Sequence, residues 1–169
     1  MKNLSIEQLE KWMMYYYENP QPDITPIAIE TLREKGHLSS EVGVEGIMAF
    51  LSFIFRFHPE KIETWLATFK EMSIQEKVVI IHALWYSSTL EAWNYLRTIL
   101  ETADSELKDL IIYLLSESPT QIEQIPISSP GILDMLWSAF AATGDEKYVI
   151  KLMSVLPYIN TAGDTSEKM

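Results

Sequence analysis

The side chains best suited to proton transfer near neutral pH are three histidines, and they are scattered. His82 lies between Ile81 and Ala83 on a stretch that also carries Trp85 and Tyr86. A general base needs an orienting partner and a substrate pocket. The nearest acid on the preceding turns, Glu76, is six residues away and off the His82 face. A small helical enzyme built around His82 is therefore an alternative reading, and a structural histidine is the preferred one. Glu34-Lys35-Gly36-His37 spells Glu-x-x-His, which on a continuous helix can ligate metal. Gly36 is expected to end the helix between the two groups, and no second copy exists. His58 precedes Pro59 at a helix start. No His-Glu-x-x-His, Gly-x-Ser-x-Gly, phosphate-cradling loop or dinucleotide fingerprint occurs. Absence of cysteine removes thiol catalysis, disulfides and thiolate metal sites. No catalytic residue, metal or cofactor is expected.

Carboxylates are the more abundant resource. The chain of 169 residues carries Lys+Arg 13 against Asp+Glu 24, a formal charge of −11. From Thr98 to Glu146 nine acidic residues face one basic residue, Lys108. Asp104, Glu106, Asp145 and Glu146 fall in first turns, where the helix dipole favours them. The segment reads either as a solvated acidic face or as a docking surface, which speeds association and sharpens specificity. Glu101, Asp104 and Asp109 are the acidic candidates for partner contact. Trp93 and Arg97 join them, four apart at the edge of the stripe Ala92, Leu96 and Ile99, because Trp and Arg commonly anchor interfaces. Trp65, Trp85 and Trp137 read as core. The block Trp12-Met13-Met14-Tyr15-Tyr16-Tyr17 covers every side of its helix. One face cannot hide all six, so Trp12, Tyr15 and Tyr16 are candidates for an interface or a second copy of the chain.

These residues must be positioned by helices. Ser5 with Gln8 is a capping box before Ile6, Leu9, Trp12, Met13 and Tyr16 at helical spacing, and Asn19-Pro20 should stop that helix. Thr25-Pro26 opens a second helix that Gly36 ends. Val44 to Phe57 is apolar nearly all round and predicts the most buried helix. Pro59 starts a fourth, ending near Met72. Ser73 with Glu76 caps a fifth and Ser88 with Glu91 a sixth. A seventh runs from about Asp104 to Glu117, and Ser118 to Ser129 reads as a loop. Ser129-Pro130 opens an eighth that Gly144 closes, and Asp145 caps a ninth ending before Pro157. From Tyr158 to Met169 the chain is a polar tail. No run alternates at period two. The fold class is all-α, with about nine helices.

An internal likeness organises the second part. Phe50–Lys70 slides onto Ile80–Leu100, matching Phe50 with Ile80, Ile54 with Leu84 and Leu66 with Leu96. Ile80–Leu100 slides onto Leu136–Leu156, matching Ala83 with Ala139 and Leu96 with Leu152. Three hairpins thus share one pattern, which resembles tetratricopeptide and HEAT proteins in general design without their consensus. The expected architecture is one helical domain over residues 1–157. Residues 1–43 form N-terminal helices, and residues 44–156 form three quasi-repeated hairpins plus one helix. These stack as an α-solenoid or pack as an irregular bundle.

The start, Met1-Lys2-Asn3-Leu4-Ser5, has no apolar leader segment, and the longest apolar stretch is too short to span a bilayer. A pI near 4.7 argues against general binding to nucleic acid or anionic membrane. The sum is a cytoplasmic, non-enzymatic interaction module: an adaptor, a chaperone or an inhibitor whose acidic surface meets a basic or mixed partner, another protein with a basic patch. A homo-oligomer through the first helix and an acidic mimic of nucleic acid are the further alternatives.

Overall fold

The computed structural model describes residues 3–156, all helix, turn and loop, with no strand among them. The helices are α1 (Ile6–Met14), α2 (Thr25–Glu34), α3 (Val44–Phe57), α4 (Ile62–Trp65), α5 (Ile74–Ser87), α6 (Leu90–Thr102), α7 (Ser105–Ser116), α8 (Pro130–Thr143) and α9 (Glu146–Met153). The tail read from the sequence at 158–169 lies outside the described residues.

The capping chemistry acts as its residue types require. Ser5 with Gln8 and Ser73 with Glu76 form reciprocal capping boxes at the starts of α1 and α5. Asp104 and Asp145 accept backbone N–H bonds as N-caps of α7 and α9. Gly144 ends α8 at φ 69°, and a Cβ there would lie 2.8 Å from the Tyr17 ring, so glycine is required twice over.

α3 is the centre of the molecule. Ala49, Phe50, Leu51, Ser52, Phe53, Ile54 and Phe55 are consecutive and all buried, so no side of the helix meets water over that stretch. α5 packs on one side of α3 and α8 on another. α8 approaches closely, because a Cβ on Gly46 would lie 2.9 Å from Ser138 Oγ. α6 lies on α5, α7 on α5 and α6, and α1 and α9 on α8. In an array, each repeat rests on its neighbours in sequence. Here the hairpin α8–α9 rests on α3 of the first hairpin, so the spatial order is α5, α3, α8. Buried residues from α1 to α9 join one hydrophobic cluster.

Four local expectations are corrected. α1 ends at Met14, before the prolines, because the Tyr17 N–H donates to the Ala141 carbonyl of α8 at 3.0 Å. Thr25 is the first residue of α2 rather than its cap, and its buried hydroxyl has no hydrogen-bond partner. The α6 cap is Thr89, which accepts from the Ala92 N–H; Ser88 instead closes α5 in the left-handed region at φ 57°. The long fourth helix does not form. Short 3₁₀ turns at Pro59–Lys61 and Phe69–Glu71 flank a four-residue α4. Groups from elsewhere take hydrogen bonds along it. Tyr95 Oη donates to the Leu66 carbonyl, Arg33 to the Glu71 carbonyl, and the Thr68 hydroxyl to Glu30.

Side chains also fasten the helix ends. Arg56 of α3 donates to the Tyr86 and Ser87 carbonyls at 2.8 and 2.9 Å, closing the last turn of α5, and its guanidinium stacks on Phe53. The loop between α7 and α8 is held by Lys151, whose ammonium donates to the Glu123 and Ile125 carbonyls. Lys147 pairs with Glu123 at 2.9 Å. Burial is the largest single influence and opposes ionisation of Glu123, but the Lys147 hydrogen bond, a backbone hydrogen bond and the Lys147 and Arg56 charges together outweigh it and hold the carboxyl below its ordinary range.

Candidate functional site

The corner where α6 meets α7 carries a group of charges without ion-pair partners among the described residues, with a concave surface beside it. Ala103 turns the chain out of α6, and Asp104 starts α7 by accepting the Leu107 N–H at 3.0 Å. Glu101, Asp104, Glu106 and Asp109 are all exposed, and none is in an ion pair among the described residues. Asp109 shares the outer face of α7 with Ile112 and Tyr113, both exposed.

Glu101 and Asp104 line a cleft of about 790 Å³ between this corner, the segment around α4, and the first turn of α5. Leu66, Phe69, Ile99 and Leu107 are buried beneath it. Tyr95, half-buried, meets the Phe69 ring edge-on at 6.3 Å. Burial, followed by the nearby Glu63 charge, pushes the Tyr95 phenol above its ordinary pKa. Lys70 and Lys77 add positive charge from the α4–α5 side, with the Lys77 ammonium 5.9 Å from the centre of the Phe69 ring.

The acidic run of the sequence does not become one face. Glu123 and Asp145 both pair with Lys147, and Asp134 packs where α8 meets Gly46. The unpaired remainder is concentrated at α6–α7, where Asp104 already serves as a cap. Arg97 is exposed but hydrogen-bonds Asn94 on its own helix and lies outside the cleft lining. Trp93 is packed against the core with its indole N–H buried and unpartnered, so it does not stand free as an anchor.

The aromatic block of α1 divides differently from its expected use. Trp12 and Tyr16 are core residues in edge-on contact with each other and with Phe50 of α3. The Trp12 indole donates to the Gln21 carbonyl at 3.1 Å, and burial pushes the Tyr16 phenol up to about 12. Both are thereby removed from any outer surface. Tyr15 is 46% exposed and lines a second, smaller groove with Gln8, Lys11 and Gln21. Sequence reasoning also missed Trp137, which is 58% exposed and stacks through Phe140 to Tyr17 at the crossing of α1 and α8. No sequence signal separated it from the buried apolar residues of α8, because the polar residues Asp134 and Ser138 lie on the side of the helix that packs on α3.

His82 Nδ1 is 2.8 Å from the Val78 carbonyl one turn back, which ties it into its own helix. Gly36 ends α2 in the left-handed region and separates Glu34 from His37, as the spacing predicts. Among the described residues no three His, Asp or Glu side chains converge to hold a metal ion. No helix among them is long and apolar enough to cross a membrane. No protein-family model, curated protein or solved structure matches the chain.

Proposed function

We propose that this chain is a non-enzymatic protein–protein interaction module, of the adaptor, chaperone or inhibitor kind, whose α6–α7 corner receives a partner with a basic patch. The observation that supports this reading is the set of exposed, unpaired carboxylates Glu101, Asp104, Glu106 and Asp109 beside a cleft with an apolar floor. Such charges act mainly on the rate and selectivity of encounter, while the apolar floor supplies burial. The same charges disfavour nucleic acid, and the lack of cysteine suits a cytoplasmic setting. The hairpins α5–α6 and α8–α9 are, on this reading, copies of one unit whose third copy, α3 with the turns around α4, has lost its second helix, and the three pack out of chain order.

The test must respect the role of Asp104. Replacing it by lysine would remove the α7 cap along with the charge, so the informative variant is Glu101→Lys/Asp104→Asn/Asp109→Lys. Capture from native lysate at low and high salt, with proteins identified by mass spectrometry, supplies the partner. The variant should then bind that partner about tenfold or more weakly, with a shallower salt dependence and an unchanged melting curve. Equal affinity and equal salt dependence would overturn the reading, as would an empty capture at both salts.

A further inference from the structure

The charges of the cleft are sorted by the element that carries them. Lys70 and Lys77 come from the α4–α5 side, Glu101 and Asp104 from the α6–α7 corner, and Glu63 from α4. Between them lie buried Leu66, Phe69, Ile99 and Leu107, with the half-buried Tyr95 ring against Phe69. Lys77 is the most telling residue. It is only partly exposed, has no carboxylate within ion-pair distance among the described residues, and holds its ammonium over the Phe69 ring. A cation so placed is less hydrated than a surface lysine, so an anionic group delivered to it gains more than it would on an open face.

This arrangement discriminates by repulsion as well as attraction. A polyanion meets Glu63, Glu101 and Asp104. A purely basic segment satisfies those residues but must pass Lys70 and Lys77. A ligand carrying both signs on either side of an apolar group satisfies every wall. The volume, about 790 Å³, lies within the ~300–1,000 Å³ of ordinary ligand clefts, enough for a few side chains and too little for a folded domain.

We infer that the cleft binds a polypeptide segment of mixed charge, with an apolar or aromatic side chain on the Phe69–Tyr95 floor, an acidic residue at Lys70 and Lys77, and a basic residue at Glu101 and Asp104. This inference rests on the interaction role proposed above and names the chemistry of what enters the corner. Burial of the anchor supplies affinity, and the two charged walls fix the direction in which the segment lies.

The experiment uses synthetic peptides and the full chain, read by fluorescence anisotropy. Two probes carry the cores Asp-Gly-Phe-Gly-Lys and Lys-Gly-Phe-Gly-Asp, and two controls replace both charged residues by lysine or both by aspartate. One mixed core should bind saturably, with the other mixed core and both controls about tenfold or more weaker. Lys77→Glu should move the preference to the all-lysine control, and Lys70→Glu, at an exposed position, should do the same to a smaller degree without any risk to the fold. If the all-lysine peptide binds wild type as tightly as either mixed core, the inference is wrong while the acidic-corner reading stands. Absence of saturable binding by any probe, or binding indifferent to both lysine variants, also overturns it, and the lysate capture then decides the broader role by itself.

Discussion

The inner layer α5–α3–α8 and the α6–α7 corner are built from the same helical grammar and finish in opposite physical states. In the layer, seven consecutive residues of α3 are buried and two buried serines spend their hydroxyls on their own helices, Ser52 on Ala49 and Ser87 on Leu84. At the corner, α6 and α7 expose four carboxylates beside an open cleft over the buried side chains Leu66, Phe69, Ile99 and Leu107. Over its central stretch the layer is a region where apolar side chains and buried hydroxyls have found their partners within the chain. The corner is one where charge and apolar surface coexist without partners, which is the condition for binding something else.

The sharpest way to break the contrast is to open the layer. Phe50 is fully buried and touches both Trp12 and Tyr16, so Phe50→Ala should cost about 3–5 kcal/mol, read as a fall in the urea midpoint. A substitution that separates structure from docking comes next. Asp104→Ala removes the α7 cap and should cost roughly 0.5–2 kcal/mol, whereas Asp104→Asn keeps an acceptor and should cost little, although both remove the charge. Comparing thermal melts and partner affinity for the pair assigns each role its share.

The smallest expected effect concerns the Lys147–Glu123 pair, which is partly exposed and worth roughly 0.2–1 kcal/mol. Folding lowers the Glu123 pKa, so its contribution is present above the unfolded value near 4.5 and is lost as pH falls through the folded one. Folding raises the Lys147 pKa, chiefly through the Glu123 hydrogen bond, so its contribution is present below 10.5 and is lost as pH rises through the folded value. Lys147→Met should therefore lower stability by a constant amount between those limits, with the gap to wild type closing towards acid and towards alkali. A gap independent of pH across acid titration would show that the pair contributes nothing.

What the sequence makes legible follows the range over which each cause acts. The capping boxes at Ser5 and Ser73, the start of α8 at Pro130 and its end at Gly144 are set within a turn, and periodicity there is decisive. The span of α3 is equally plain because apolar residues cover its circumference. That same property hides its neighbours, since a helix apolar on every side states no preference between α5 and α8. The break after Trp65 has no proline or glycine to announce it and is set by Tyr95, Arg33 and Glu30, which are distant in sequence. The corner was half legible. Glu101 and Asp104 were identifiable from charge, but Lys70 and Lys77 come to the cleft from other elements, and no pattern within one helix points to them. Trp12 and Tyr16 were misplaced because counting faces on α1 cannot say which aromatics α3 will cover.

The out-of-order packing of α8 on α3 has a consequence for how the chain is made. During synthesis, α5 follows α3 closely and can cover one side of it early. The surface that belongs to α8 stays bare until residues 130–143 emerge. At roughly 5–20 residues per second, translation from Phe57 to Pro130 takes on the order of 4–15 s. For that interval the most apolar helix of the molecule is exposed to the cell on one flank. Nascent chains stalled before Pro130 should therefore be sticky and protease-sensitive, and those released after Met153 should not.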